Sequence, residues 1–219
     1  ARRFDISWWP DESESLSGSE DGTSRIERVD TLEWSTLFEG NGKPIYGSVF
    51  SMDGSKIASA TQDGNVAIWT HASAEDTPSQ GPWQQNTVLT GHERSITDLV
   101  WPADGLLLSS SEDGTIRHWD VQSGQGDTVF QERTVVGDIA WSQEHFLLAA
   151  GQSDGLIRVW HWDDLAAGSG PFAEHTNHSQ SISSIAWAPD GEHGASASWD
   201  RTVQVWLTES PESLAVYEV

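Results

Sequence analysis

The chain lacks cysteine altogether and has only two lysines, Lys43 and Lys56, among its 219 residues. Without cysteine it forms no disulfide, thiolate metal site or thiol nucleophile, and the redox compartment stays open. Positive charge is scarce in general, since 11 Lys and Arg face 34 Asp and Glu and the formal net charge is -23. Nucleic acids and anionic membranes are bound through Lys and Arg, so we expect neither as a partner.

Long apolar runs are missing too. No stretch approaches the roughly 20 apolar residues that a membrane-spanning helix needs. The first residues, Ala1-Arg2-Arg3-Phe4, include two arginines but no apolar run follows them, so they do not form a secretory signal. We therefore expect a cytoplasmic location. Because the first residue is not methionine, we also expect a processed chain or a fragment.

The acidic residues are spread along the chain and are not gathered in one tail. A disordered acidic tail would lack aromatic residues, whereas 13 tryptophans accompany these acids. The composition therefore predicts a folded protein. Dispersed charge of one sign repels itself, and molar salt, which shortens the Debye length to about 3 Å, removes most of that repulsion. We expect an acidic surface adapted to an extreme halophile.

One aromatic and acidic signature recurs down the chain. An Asp lies six residues before a Trp in four places, namely Asp63/Trp69, Asp113/Trp119, Asp154/Trp160 and Asp200/Trp206. A degraded fifth copy begins at Trp9 and has Glu27 where its second Trp would be. Steps of roughly 40 to 50 residues separate the copies, and a period of this size is typical of stacked supersecondary units.

Within each copy the residue pattern has the period of strands. In the third copy both alternating sets from Ile96 to Trp101 are partly apolar, and Asp113-Gly114 marks a tight hairpin turn. Four short antiparallel strands per copy, with no helical period, predict an all-β β-propeller with five four-stranded blades. We place the blades approximately at 1–39, 40–90, 91–131, 132–174 and 175–219, as a single domain over 1–219.

The same residues resemble the WD-repeat family. Gly91-His92 with Trp119-Asp120 is the full signature pair of that family. The resemblance implies a buried hydrogen-bond set in each blade, made of a loop His, a second-strand hydroxyl, the turn Asp and the third-strand Trp. Two blades match in full, with the structural tetrads His92, Ser111, Asp113, Trp119 and His178, Ser198, Asp200, Trp206.

The other blades depart from this pattern. The second blade has Asn41 in place of the His, and the fourth has Glu132 and Gln152. The first blade lacks both the His and the Trp, so we expect the first and fourth blades to be held less tightly.

The resemblance also implies a ring of about seven blades, whereas this chain has five. Either five blades close without a latch, or further blades complete a larger ring, which is the arrangement we favour, or a second chain covers the open faces by self-association.

Motifs that could carry chemistry fit the same fold. Gly151 to Gly155 match the G-x-S-x-G nucleophile elbow, but that elbow needs a strand–turn–helix context and this segment is a predicted hairpin turn. His175 and His178 have no carboxylate at ligand spacing. We therefore expect no catalytic residue, no metal site and no cofactor.

Basic residues recur at two positions of the repeat. Arg2, Lys43 and Arg94 each lie two residues before a first strand, in the loops that carry partner contacts in the family that the chain resembles. Arg25, Arg117 and Arg158 share a second position, where an Arg stem packing between blades and pairing with an acid is the favoured role.

Aromatic residues complete the candidate contact set. Tyr46 and Trp199 are predicted to lie on the same face as the first basic set. They are contact candidates because Tyr and Trp often anchor interfaces. Trp83 falls in a predicted long loop from His71 to Gln85. The partner-binding candidates are Arg2, Lys43, Tyr46, Arg94 and Trp199.

These patterns favour a WD-repeat propeller that works as a non-enzymatic scaffold for protein partners of unknown identity. The alternative is a propeller hydrolase or carbohydrate-binding enzyme with a site at the central channel. Acids and histidines that converge on the propeller axis would favour the enzyme.

The net charge of -23 predicts a salt-dependent stability. Raising KCl from about 0.1 M to about 2 M should raise the melting temperature by many degrees, because screening relieves the repulsion between acids. Differential scanning calorimetry across that series is the measurement. A melting temperature that stays flat would contradict the adaptation to high salt.

Overall fold

The computed structural model describes residues 3–39, 43–71, 83–210 and 212–218, with side chains from residue 6 onward except 34–39. The chain folds as two compact units. The first contains residues 1–109 and 118–127, and the second contains residues 110–117 and 128–219.

Within the described residues, twenty short strands form five four-stranded sheets, and in each sheet the strands lie in chain order. The first sheet contains β1 (Arg3–Trp8), β2 (Glu14–Ser19), β3 (Thr23–Arg28) and β4 (Trp34–Glu39). The second sheet contains β5 (Ile45–Phe50), β6 (Lys56–Thr61), β7 (Asn65–His71) and β8 (Trp83–Thr90). The third is β9 (Ile96–Ala103), β10 (Leu106–Ser111), β11 (Thr115–Asp120), β12 (Gln125–Gln131).

The last two sheets lie in the second unit. The fourth sheet contains β13 (Val136–Ser142), β14 (Leu147–Gln152), β15 (Ile157–His161) and β16 (Ala173–His175). The fifth sheet contains β17 (Ile182–Trp187), β18 (His193–Ser198), β19 (Thr202–Leu207) and β20 (Ser213–Glu218). One short helix, α1 (Trp162–Ala166), lies between β15 and β16 and has no counterpart in the sequence prediction.

Five sheets of four antiparallel strands, each linked to the next in chain order, are the blades of a β-propeller. The predicted fold class is therefore confirmed. The predicted single domain and its blade limits stay predictions.

The cores of the first unit lie between neighbouring sheets. Leu16 and Ile26 of the first sheet pack with Ile45, Ile57 and Trp69 of the second. A further cluster joins the second sheet to β9, β10 and β11, with members such as Ile68, Leu89, Ile96, Leu107 and Trp119. Both faces of the second sheet are therefore covered, which explains why its strands are apolar on both sides.

The second unit repeats this arrangement between its own sheets. Leu147, Ile157 and Val159 of the fourth sheet pack with Ile182 and Trp206 of the fifth.

The turns between second and third strands lie beside the loops that lead into the next blade. In the first unit, a Cβ on Gly64 would come within 2.7 Å of the carbonyl oxygens of His92 and Arg94. In the second unit, a Cβ on Gly155 would collide with the carbonyl of His178. Both glycines have φ near 80°, a conformation that other residues adopt only with strain.

We call this end of the strands the turn end. In the first unit it comprises residues 43–46, 61–65 and 91–95, since the backbone N–H of Gln62 donates to the carbonyl of Pro44 at 3.1 Å. In the second unit it comprises residues 153–156, 176–181 and 199–201. The fifth blade departs from the rule at Arg201, which takes φ 69° where the other four blades have Gly.

Within the described parts of the chain, no helix is long and apolar enough to cross a membrane.

Candidate functional site

The hydrogen-bond set of the third blade is centred on a serine. Ser109 is fully buried, and its hydroxyl accepts a hydrogen bond from Trp119 Nε1 at 2.8 Å and bonds His92 Nε2 at 2.7 Å. The hydroxyl that joins His and Trp is therefore Ser109, two residues before the predicted Ser111. The Ser111 hydroxyl accepts a hydrogen bond from the backbone N–H of Asp113 at 3.1 Å and so supports the turn.

The fifth blade shows the same shift. His178 Nε2 lies 2.8 Å from the hydroxyl of Ser196, and its Nδ1 lies 2.9 Å from Asp200 Oδ2. The predicted Ser198 instead donates to the carbonyl of Gln180 at 3.0 Å. Burial alone would raise the pKa of Asp200, but hydrogen bonds from Thr202, Ser179 and His178 hold that pKa well below its usual value.

Strand geometry explains why the sequence favoured the wrong serine. Residues two apart point to the same face of a strand, so Ser109 and Ser111 fit the two-residue period equally well. The distance to the Trp is the signal that was missed. A serine stands ten residues before the third-strand aromatic position in four blades, at Ser17, Ser59, Ser109 and Ser196, and the fourth blade has Ala150 there.

The second and fourth blades show the effect of this position. Trp69 Nε1 donates to Ser59 Oγ at 3.0 Å. In the fourth blade Trp160 is equally deep, with 1% exposure, and its indole nitrogen has no hydrogen-bond partner within the described residues. Ala150 offers it no hydroxyl, so an unpaired N–H is buried there at a cost of about 1–3 kcal/mol.

Arg158 provides a different set of bonds in the fourth blade. Its side chain is largely buried and binds Glu132 at 2.7 Å and Glu174 at 2.8 Å, and it also donates to Gln152. Its guanidinium lies 5.7 Å from the centre of the Phe130 ring. This matches the favoured role for the second basic position, where an Arg packs and pairs with acids.

The other two members of that position also have polar partners. Arg25 lies 3.7 Å from Asp21, and Arg117 donates to Thr128 at 3.0 Å.

The predicted contact residues of the first unit lie at its turn end. Lys43 and Arg94 are both exposed. Lys43 Nζ is 2.5 Å from Asp63 Oδ2, so the turn carboxylate of the same blade already pairs with this lysine. The turn that carries Asp63 packs through Gly64 on the loop that carries Arg94, which brings both cations to one edge. Arg2 lies outside the described residues.

Tyr46 occupies a bulge at the start of β5. The pairing with β6 shifts between Ile45 and Gly47, and this leaves Tyr46 as the inserted residue. A bulge redirects the side chain that it carries. Tyr46 is half-buried, so it presents only part of its ring to solvent.

The two tryptophan candidates have opposite environments. Trp199 projects from the β18–β19 turn with 73% of its side-chain surface exposed. Trp83 lies in no loop: it begins β8, is buried, and makes an edge-to-face contact with His71 at 5.1 Å. The sequence misplaced it because the adjacent Ser- and Pro-rich segment hides the start of the strand.

The nucleophile-elbow motif has strands on both sides. Gly151 and Gln152 end β14, and Ser153 lies in the turn that leads into β15. No helix follows Ser153, so the context that activates such a serine is missing here. Across the described residues, no group of three His, Asp or Glu side chains converges as metal ligands would.

The family model described as WD domain, G-beta repeat matches residues 33–70, 83–120, 128–161 and 170–206. The chain belongs to the WD40 repeat family. Each matched WD40 segment starts just before, at or within the fourth strand of one blade and ends in the third strand of the next. The sequence repeat is therefore offset by one strand from the structural blade.

Several differently named proteins are similar to this chain in sequence. A ribosome biogenesis protein WDR12 homolog of Nematostella vectensis is 27% identical over 94% of this chain and 56% of its own length. The target of rapamycin complex subunit wat1 of Schizosaccharomyces pombe is 28% identical over 78% of this chain and 53% of its own. A guanine nucleotide-binding protein subunit beta of Oryza sativa is 23% identical over 98% and 57%. The chain thus spans about half the length of these relatives.

Ser109→Ala should lower the free energy of unfolding by about 1–3 kcal/mol, because it leaves the Trp119 indole N–H and His92 without their shared partner. Ala150→Ser is the matched change in the fourth blade and should raise it by about 0.5–1.5 kcal/mol by giving Trp160 a hydroxyl. Urea unfolding followed by tryptophan fluorescence measures both. Equal and small effects would show that the hydroxyl at this position has no role.

His175 predicts a pH effect on stability. It is 2% exposed, and its ring lies 4.6 Å from that of Trp206. His175 pairs with Ile157 in the fourth blade, and Leu89 pairs with the equivalent residue, Val66, in the second blade. His175 therefore stands where the second blade has leucine. Burial, which disfavours the charged imidazolium, outweighs the backbone hydrogen bond at Thr208, which favours it, and lowers the pKa of His175 below its usual value.

The unfolded chain therefore binds a proton at His175 more readily than the folded chain. Stability should fall as the pH drops below the unfolded pKa of about 6.5, until the pH reaches the folded pKa. His175→Leu should reduce this loss between about pH 7.5 and about pH 5 in urea unfolding experiments. The converse change, Leu89→His, should introduce a similar slope. An unchanged slope in His175→Leu would contradict the prediction.

Proposed function

We propose that this chain is a non-enzymatic docking platform and that the turn end of its blades binds a protein partner. Its relatives include a subunit of a target of rapamycin complex and a subunit of a guanine nucleotide-binding protein. Work within a multiprotein assembly is therefore the function that we extend to this chain. The cytoplasmic location stays a prediction.

Trp199 is the single observation that carries the proposal. It stands directly before the turn Asp, at a position where the other four blades have polar residues, namely Glu20, Gln62, Glu112 and Ser153. The repeat therefore does not require an aromatic side chain there. Exposure of this largely apolar ring to water is unfavourable in the isolated chain. A partner that covers the ring would remove that cost.

The first unit offers a polar counterpart at its own turn end. Lys43, Arg94 and Tyr46 lie there, and we propose that they form a separate contact with a protein partner. Because Lys43 is paired with Asp63, its charge contributes less to attraction than that of an unpaired lysine would. Aromatic contact should consequently dominate the affinity, with the cations governing association rate.

Trp199→Ala should weaken capture of the native partner by about thirtyfold, which corresponds to the ~2 kcal/mol typical of an interface hot spot. The chain is immobilised, incubated with a native high-salt extract, and the retained proteins are quantified by mass spectrometry. Leu32→Ala is the control, because Leu32 is 70% exposed and lies in a loop of the first blade away from the turn end. Undiminished capture by Trp199→Ala would refute the proposal.

A further inference from the structure

A cavity of about 460 Å³ opens in the second unit at the opposite end of the strands from Trp199. It lies among the turn between β17 and β18, the loop after β19 and the segment that follows β15. We call it the acidic cleft and define it by six of its lining residues, which are Leu147, His161, Phe172, Glu192, Leu207 and Glu209.

The walls of the acidic cleft are apolar. Leu147 is buried and Leu207 is half-buried. Phe172 stacks on His161 with ring centres 4.5 Å apart and planes inclined by 18°, and 40% of its surface stays exposed. The cleft therefore presents a flat ring and aliphatic carbon to whatever enters it.

The rim carries two carboxylates. Glu192 and Glu209 are exposed, and neither side chain makes a hydrogen bond or ion pair within the part of the chain that the structure describes. Thr208 fixes the two segments that carry them, because its backbone N–H and its hydroxyl both donate to the carbonyl of Glu192, at 3.0 and 2.9 Å. The rim is thus rigid in its backbone.

In the described part of the last two blades, no Lys or Arg is placed to neutralise this rim. From residue 134 to the end of the sequence the only basic residues other than histidine are Arg158 and Arg201. Arg158 is engaged by Glu132 and Glu174, and Arg201 lies in the turn end of the fifth blade. Two carboxylates beside apolar walls therefore form a site that favours a positive charge.

An equivalent cleft in the first unit provides an internal comparison. It has about 430 Å³ and is lined by residues that include Lys56, Asn86 and Gln122. These occupy the repeat positions of Leu147, Phe172 and Glu209, and the shorter turn at 104–105 has no counterpart of Glu192. The cleft of the first unit thus combines two carboxylates, Asp53 and Asp104, with a lysine of its own, whereas the acidic cleft has carboxylates and no such lysine.

We infer that the acidic cleft binds a Lys or Arg side chain from a basic segment of a partner protein. The aliphatic stem of such a side chain packs on Phe172 and Leu207, and its charged end pairs with Glu192 and Glu209. An apolar residue would leave both carboxylates unpaired, and an acidic residue would be repelled. This inference rests on the proposed docking function and adds a second contact, which is separate from Trp199.

The probe is a fluorescein-labelled peptide of repeated Gly-Ser-Lys units, titrated with the full chain and followed by fluorescence anisotropy. Glu192→Gln combined with Glu209→Gln should weaken binding by about tenfold or more, as expected when charge pairs are lost. The matched control is Glu12→Gln combined with Glu112→Gln, which removes the same total charge from exposed turn positions that do not line the acidic cleft. This control should weaken binding by less than about twofold.

One further variant and one changed peptide identify the contact. Phe172→Ala should also weaken binding, and a peptide with norleucine in place of lysine should not bind. Equal losses of affinity in the two charge variants would show that only general electrostatic attraction is involved, and this would overturn the inference. Unchanged binding of the norleucine peptide would also overturn it, and so would a lack of binding to the wild-type chain. Trp199→Ala should leave peptide affinity unchanged, so a failure at the cleft is distinguishable from a failure at the turn end.

Discussion

Burial of one tryptophan on the third strand is the contact on which each of the last four blades depends. Trp69, Trp119, Trp160 and Trp206 are all nearly inaccessible to solvent. An indole provides the largest apolar surface of any side chain, but its N–H needs an acceptor once water is excluded. A short serine on the neighbouring strand provides that acceptor in the second and third blades without displacing the apolar packing.

The blades differ in how they meet this requirement. The third blade satisfies the indole and the loop histidine with a single hydroxyl, Ser109. The fifth uses Ser196 for His178, while the Trp206 ring packs against His175 and Trp187. The fourth has no hydroxyl and relies on Arg158 with its acidic partners. The repeat therefore conserves volume at the centre of the blade and varies the polar bonds around it.

A rigid blade leaves its two ends available for other roles. At the turn end, Trp199 replaces a polar residue that the repeat uses elsewhere, and at the opposite end the acidic cleft replaces a cleft that holds its own lysine. The residues that carry these differences, Trp199, Glu192 and Glu209, are exposed and lie in turns or loops, so the buried core is unchanged. Such positions are where a repeat protein acquires a binding surface without losing its fold.

The sequence by itself determined the period, the strand order within each blade, the turn at each Asp and the family. These follow from local rules: alternation every two residues, glycine at positive φ, and a fixed spacing between Asp and Trp. Only the tertiary structure decided between Ser109 and Ser111, because both lie on one face of the strand and only one reaches the indole. It also placed Trp83 in a strand, paired Lys43 with Asp63, left Trp199 in solvent and assembled the acidic cleft. Each of these depends on distances between residues far apart in the chain, which no local period encodes.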